Sequence, residues 1–413
     1  MESVVNAIDS SITSQFQLKL APQNDFVSDR RMVRWYPQGS NHYSPVGTKL
    51  LRISITPGAA EGWVDPFSVK LNFTVNNTGF DAAAPTNTRL HLCNGSWCFF
   101  KRMRLLCGGV LVEDISHWHR LYAMQMLFAP IGYQKDVRVA AGERAHVIGA
   151  SDKFSFTPLC GLLTQSKCLP IKYMNLVMEL EVVDNIADAL METSLISGVS
   201  GQSSSYVIEN VFLTGDVMTL ESGIDNEVTK HLLAGKSLSI GLTSWFTSMH
   251  TVTPNWQIAL SRAFTRIRAL YLSMIDSSQD KEANTFRYPS ISDAQMFELQ
   301  VQLGSKLFPE QKITTLPEYW DKLLSAVGSH TSILSHSAID LDSYKTDQFI
   351  AAIGMQRVLA DMEASNYSGL STKTGSLLSV RSANSASNID TVYLTLHADL
   401  ILQISDQGCE VFD

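Results

Sequence analysis

The sequence predicts an all-β protein built from two antiparallel sandwich domains, with a few short helices in the loops. Three observations lead there. Apolar and polar residues alternate with period two in several segments, helical spacing is scarce, and a glycine- and serine-rich stretch lies near the midpoint of the 413 residues. From Pro66 to Val75, Phe67, Val69, Leu71, Phe73 and Val75 fall on one side of a strand and Ser68, Lys70, Asn72 and Thr74 on the other. The same period returns at Phe297, Leu299, Val301 and Leu303, and again from Val392 through Leu394, Leu396, Ala398, Leu400 and Leu402 to Ile404. One dry face and one wet face mark antiparallel sheets, because parallel strands are apolar on both faces.

No such strand stands alone. Burying an apolar side chain of the first segment contributes about 1.5–3 kcal/mol, while ordering each of its residues costs about 1–2 kcal/mol of backbone entropy. Each strand needs neighbours and a facing layer, and with few helices available the layer is a second sheet. Further strands are expected at 48–56, 88–93, 97–106, 136–148, 173–184, 206–219, 236–243 and 263–275. Helices are expected at 115–128, 222–234, 317–327 and 347–363. The run Gly198-Val199-Ser200-Gly201-Gln202-Ser203-Ser204-Ser205 reads as a linker. It divides the chain into an arm (1–44), a first β domain (45–197), the linker (198–205) and a second β domain (206–413). The Ser-rich segment 371–389 reads as an exposed loop.

The halves share a unit. Residues 105–121 run strand, Gly108-Gly109, short strand, then a helix with Trp118. Residues 301–323 run strand, Gly304, short strand, then a helix with Trp320. Recurrence once per half suggests duplication.

Composition narrows the function. A formal charge of −8 argues against a chain that coats phosphate, and the arm sets Glu2, Asp9, Asp25 and Asp29 against Lys19, Arg30, Arg31 and Arg34. No run is long and apolar enough to span a bilayer, and the start lacks a signal peptide's pattern. The six cysteines lack a CxxC pair and read as small buried hydrophobes in a reducing compartment.

The segments "FFKRMRLLCGGVLVEDISHWHRLY", "GLLTQSKCLPIKYMNLVMELEVVDN", "YVIENVFLTGDVMTL" and the ending "GLSTKTGSLLSVRSANSASNIDTVYLTLHADLILQISDQGCEVFD" resemble the double jelly-roll major capsid proteins of polinton-like viruses, virophages and related tailless DNA viruses. The resemblance implies two side-by-side antiparallel jelly rolls, a homotrimeric pseudo-hexagonal capsomer and an icosahedral shell. It also implies a place in the virion after assembly in the host cytoplasm or nucleus, with penton and minor capsid proteins as partners. A jelly-roll carbohydrate-binding or attachment protein and a bicupin-like metalloenzyme are the alternatives.

Individual motifs favour the structural role. Lys101, Arg102 and Arg104 beside Trp97, Phe99 and Phe100 superficially match a nucleic-acid surface, but ion pairing at a domain or subunit boundary is the preferred reading. Which face of a shell points inward, and so contact with nucleic acid, is left open. His117-x-His119 resembles the metal pair of a cupin, yet no Glu follows at the needed spacing. With Asp114 as expected N-cap the two rings diverge on a helix. Gly235-Lys236-Ser237 lacks the leading glycine of a phosphate loop and reads as a turn. Glu179 and Glu181 read as a solvated strand face. No catalytic, cofactor-binding or metal residues are assigned, and no cofactor is expected. Phe16, Phe26, Trp35 and Tyr36 of the arm, and the loop around Pro254 and Trp256, are the candidate contact residues. The arm is expected to reach beyond its own sandwich and lock neighbouring copies.

Overall fold

The structure is a computed structural model that describes residues 27–56, 62–93, 95–129, 147–196, 198–278, 280, 297–327, 339, 341–356, 369–373 and 377–412. Phe16 and Phe26, and most of the expected strand 136–148, lie outside the described residues.

Among the described residues eight main strands build the first roll: β1 (Val27–Trp35), β2 (Leu50–Ile55), β3 (Lys70–Asn77), β4 (Phe100–Cys107), β5 (Val110–Ser116), β6 (Ser151–Phe156), β7 (Leu176–Val182) and β8 (Tyr206–Leu220), and the two-residue strands His42–Tyr43 and Trp63–Val64 also pair with β8. They form two antiparallel sheets in the orders β1-β8-β3-β6 and β2-β7-β4-β5. The second roll uses β9 (Leu238–Thr251), β10 (Trp256–Leu260), β11 (Ile267–Ile275), β12 (Glu298–Leu303), β13 (Lys306–Ile313), β14 (Ile350–Gly354), β15 (Leu378–Ala383) and β16 (Thr391–Ser405). Its sheet orders are β9-β16-β11-β14 and β10-β15-β12-β13. Adding eight to each label of the first roll reproduces the second. Each half is therefore a complete antiparallel jelly roll, and a last strand, β17 (Gly408–Phe412), pairs with β16.

The duplicated unit falls at one topological place in both rolls. The β4–β5 hairpin turns through Gly108 and Gly109, whose φ values of 57° and 86° favour glycine. Helix α1 (Trp118–Phe128) follows β5. The β12–β13 hairpin turns through Gly304, with φ of 60°, and α4 (Leu316–Val327) follows β13. Between these two helices in the chain lie the four-residue α2 (Gly161–Thr164) and the inter-roll helix α3 (Ser222–Leu233); α5 (Leu341–Thr346) comes after α4.

The alternating residues line the cores. Leu71, Phe73 and Val75 are buried against Met103, Leu105, Met178 and Leu180 of the facing sheet. Phe73 is the hub: its ring meets Phe99, Phe100, Phe154 and Phe156 at centroid distances of 6.2, 5.5, 5.4 and 6.0 Å. Such geometry adds about 0.5–1.5 kcal/mol per pair beyond area burial.

Several expectations are corrected. The domain boundary lies after Leu220, because β8 pairs with both β1 and β3 of the first roll. The glycine- and serine-rich run is a loop of that roll, where Ser203 N–H donates to the Arg89 carbonyl, and α3 makes the link. The first roll also claims residues 27–44 of the expected arm: Trp35 is buried and its Nε1 donates to the Thr56 carbonyl at 2.7 Å. Phe67 leaves the alternation, exposed in a 3-10 turn that Asp65 caps and Pro66 opens. Within the expected helix 347–363, residues 350–354 form strand β14, a run dry on both faces because α4 packs over it, and residues 357–363 lie outside the described residues. Within 371–389, Leu378 and Val380 are core residues of β15, not an exposed loop. Trp256 points inward at the start of β10. Cys107 and Cys409 form a disulfide with Cα atoms 6.1 Å apart, tying the end of β4 to β17.

Replacing Phe73 by Ala removes the hub of the aromatic cluster. The expected loss is about 3–5 kcal/mol, read as a lower denaturant midpoint at unchanged slope.

Candidate assembly interface

The two rolls meet where the outer strand β5 of the first runs beside the outer strand β9 of the second. Glu113 of β5 is the polar centre of this seam. Its carboxylate is 2% exposed and accepts N–H bonds from Gly161 at 2.9 Å and Leu162 at 3.1 Å, and it is bonded by the Ser244 side chain of β9. Burial raises its pKa above the ordinary carboxylate value, and the three donors oppose that rise. Gly161 is required by contact: a Cβ there would collide with the Thr243 carbonyl of β9.

Helix α1 completes the seam. Trp118 Nε1 donates to the Leu159 carbonyl at 2.8 Å and Tyr122 Oη to the Thr157 carbonyl at 3.0 Å, which fasten the helix to the first roll. Its other side reaches the second roll. Arg120 grips Asp280 through both guanidinium nitrogens, Nη1 at 2.5 Å from Oδ1 and Nη2 against Oδ2, and lies 5.3 Å from the Tyr393 ring centroid. Phe128 meets Tyr271 at 5.5 Å. The face of β16 turned away from its own core is dry as a result: Tyr393 is 9% exposed, Thr395 2% and Asp399 2%.

The three cations of the first hairpin belong to an ion-pair ladder across the outward face of the β2-β7-β4-β5 sheet. Arg102 holds Asp114 at 2.6 Å, Arg104 holds Glu179 at 2.9 Å, and Lys101 holds Glu181 at 2.9 Å and Asp184 at 2.7 Å. Lys101 and Lys49 keep the Asp184 carboxyl below its usual range. Glu179 is buried beneath Arg104 and Arg52 rather than solvated. Asp114 lies within strand β5, across from Arg104 and ion-paired with Arg102, so α1 starts after His117, which sits in the left-handed region at φ 50°. The His117 and His119 rings stand 6.5 Å apart, and His117 packs on Tyr393 at 5.2 Å. Gly235 ends α3 with φ 74°, and Lys236 N–H donates to the His231 carbonyl, so Gly235-Lys236-Ser237 is a helix C-cap. Sequence reasoning missed Glu113 and Arg120. The signal was an acid directly after the apolar run Val110-Leu111-Val112 and an arginine in a mostly apolar helix.

No family model and no curated protein matches the chain. Solved structures do. VP54 of PBCV-1, fitted into a reconstruction of the virophage Sputnik, superposes with a TM-score of 0.66 at 9% identity, over 96% of this chain and 99% of that one. The quasi-atomic model of the PBCV-1 virus capsid gives 0.63 at 10% identity over 96% and 99%. The Faustovirus major capsid protein gives 0.61 at 9% identity over 97% and 94%. The fold is the double jelly roll of viral major capsid proteins.

Within this double jelly roll the seam carries two testable linkages. Glu113 has a folded pKa above its unfolded value, so its stability contribution is full below pH 4.5 and is lost as pH rises through the folded pKa. The melting temperature of Glu113→Gln relative to the parent chain is therefore expected to rise as pH climbs from 4.5. A parallel pair of melting curves checks it. Arg120→Met strands the Asp280 carboxylate and is expected to cost about 3–5 kcal/mol, whereas Arg120→Met with Asp280→Leu recovers most of that loss. Denaturant titration of both variants reads the difference.

Proposed function

We propose that this protein is a major capsid protein. Its chain forms a homotrimer in which three double rolls make a six-sided capsomer, and capsomers tile a closed icosahedral shell in the virion. The observation that carries the reading is the side-by-side pair of complete rolls, matching capsid structures over more than nine-tenths of both chains. Six similar rolls give a trimer six similar sides to present to its neighbours. The ion-pair ladder supports a structural role for the hairpin cations, since each is already met by a carboxylate of its own sheet.

The working chemistry is association rather than turnover. Penton and minor capsid proteins are the further partners this role entails. Residues 1–26, which precede β1, link neighbouring capsomers; deletion to residue 30 would cut into β1 itself.

Light scattering of the purified chain at micromolar concentration is expected to give a trimer mass, and negative-stain microscopy to give six-sided particles. A monomer overturns the reading, and a monomer that binds glycans favours an attachment protein. Removing residues 1–26 is expected to leave the trimer intact while shell formation fails; normal shells from the truncated chain would remove the linking role.

A further inference from the structure

We propose that Cys107 and Cys409 form a redox latch across the junction of the two rolls. The pair stands as two thiols while the chain is held in a reducing compartment, and closes when a low-molecular-weight disulfide takes its electrons. The latch acts within one chain, so it goes beyond the capsid reading and does not depend on the trimer.

The argument starts from which cysteines are bonded. Of the six in the chain, one pair is joined: Cys107, the last residue of β4 in the first roll, with Cys409 in β17 of the second. Cys93, Cys98, Cys160 and Cys168 remain thiols, the first three of them buried. Strand β17 pairs with the end of β16 and packs against β5, so its docking carries Cys409 to the β4–β5 turn. There the two Cα atoms are 6.1 Å apart, inside the roughly 4.4–6.8 Å that a disulfide spans. Two sulfurs on different rolls meet only after both rolls have folded and docked. The bond therefore forms last and holds what is already in place.

The junction closes without the bond. Glu113 with Ser244, Arg120 with Asp280, and Phe128 with Tyr271 join the rolls along the rest of the seam. Gly408–Phe412 pair with β16 through a backbone ladder of their own. The reduced chain keeps its fold on these contacts, and oxidation adds stability to it, because a cross-link removes open conformations from the unfolded chain.

Exposure sets the order of the chemistry. Cys107 is fully buried, while Cys409 is 6% exposed in a strand whose Glu410 and Phe412 reach solvent and which, among the described residues, pairs with β16 alone. Cys409 reacts first. Its thiolate attacks one sulfur of glutathione disulfide, forming a mixed disulfide and releasing one glutathione. The Cys107 thiolate then attacks the Cys409 sulfur, forming the protein bond and releasing the second glutathione. The two protons of the protein thiols end on the two glutathiones, and the two electrons lost by the cysteines reduce one glutathione disulfide. Excess reduced glutathione runs both steps backwards. A chain made in a reducing compartment and carried to an oxidising one passes from the unlatched state to the latched one.

Thiol counting and melting of the purified chain test the latch, and neither readout requires a trimer. After incubation with glutathione disulfide, alkylation in denaturant followed by intact mass is expected to find four thiols; after excess reduced glutathione, six. The first state is expected to melt higher, by on the order of 5 °C. Cys107→Ser and Cys409→Ser are each expected to melt alike in both buffers, while Cys168→Ser, which changes a half-buried thiol outside the pair, keeps the full difference. The reduced parent carries the same comparison without any substitution, so a serine variant that fails to fold leaves the test standing. Six thiols in glutathione disulfide, four in excess reduced glutathione, or equal melting temperatures in the two states each overturn the proposal. A melting difference that persists in Cys409→Ser also overturns it. A monomeric parent overturns the trimeric reading and leaves the latch intact.

Discussion

Thr395 and Asp399 point away from the core of their own roll and are still almost inaccessible to water. A two-sheet sandwich ordinarily leaves such a face wet, so here the second roll is finished only by the first. That constraint explains the seam's composition. A buried face tolerates polar groups only when each finds a partner, and Thr395 meets Thr247 while Asp399 lies 3.7 Å from Arg268. His397 on the same face stacks on Trp245 at 5.3 Å, and burial together with Arg268 drives its pKa down to about 3, so it stays neutral. The close approach in turn demands Gly161, and the carboxylate of Glu113 satisfies the two N–H groups that this turn of chain brings to the junction.

Strands whose one face enters a core were legible in the sequence, because burial writes itself as period two. The segments around Leu71, Val301 and Leu396 are of this kind. Strand β1 was not legible: it lies at the outside of its sheet, only its last residues reach the core, and its middle is charged. Strand β14 failed for the opposite reason, since cover on both faces erases the alternation and Ile350-Ala351-Ala352-Ile353 then looks helical. In β15 serines occupy the buried positions 379 and 382, which disguised it as a loop. The domain boundary was misplaced because a flexible composition marks a loop without saying whether the chain leaves the domain there. β8 returns to the first roll after that loop, and no local signal records the return.

The seam residues were harder still. Glu113 and Arg120 are meaningful through partners 48 and 160 residues away, and spacing along one strand or helix carries no trace of such pairs. The cations of the first hairpin show the converse. Their neighbours in sequence suggested a binding surface, and their neighbours in space neutralise them: Glu179 lies directly across the strands from Arg104, and Asp114 reaches Arg102 diagonally from the neighbouring strand.

The disulfide between Cys107 and Cys409 spans 302 residues of chain. It closes the second half of the first roll, the joining helix and the whole second roll into one covalent ring. A protease that cuts once anywhere inside that ring, including the loop at 198–205 or the helix that joins the rolls, opens the ring without releasing a fragment. Two cuts within the ring are needed before a piece can leave covalently, so a single nick there leaves the chain in one part.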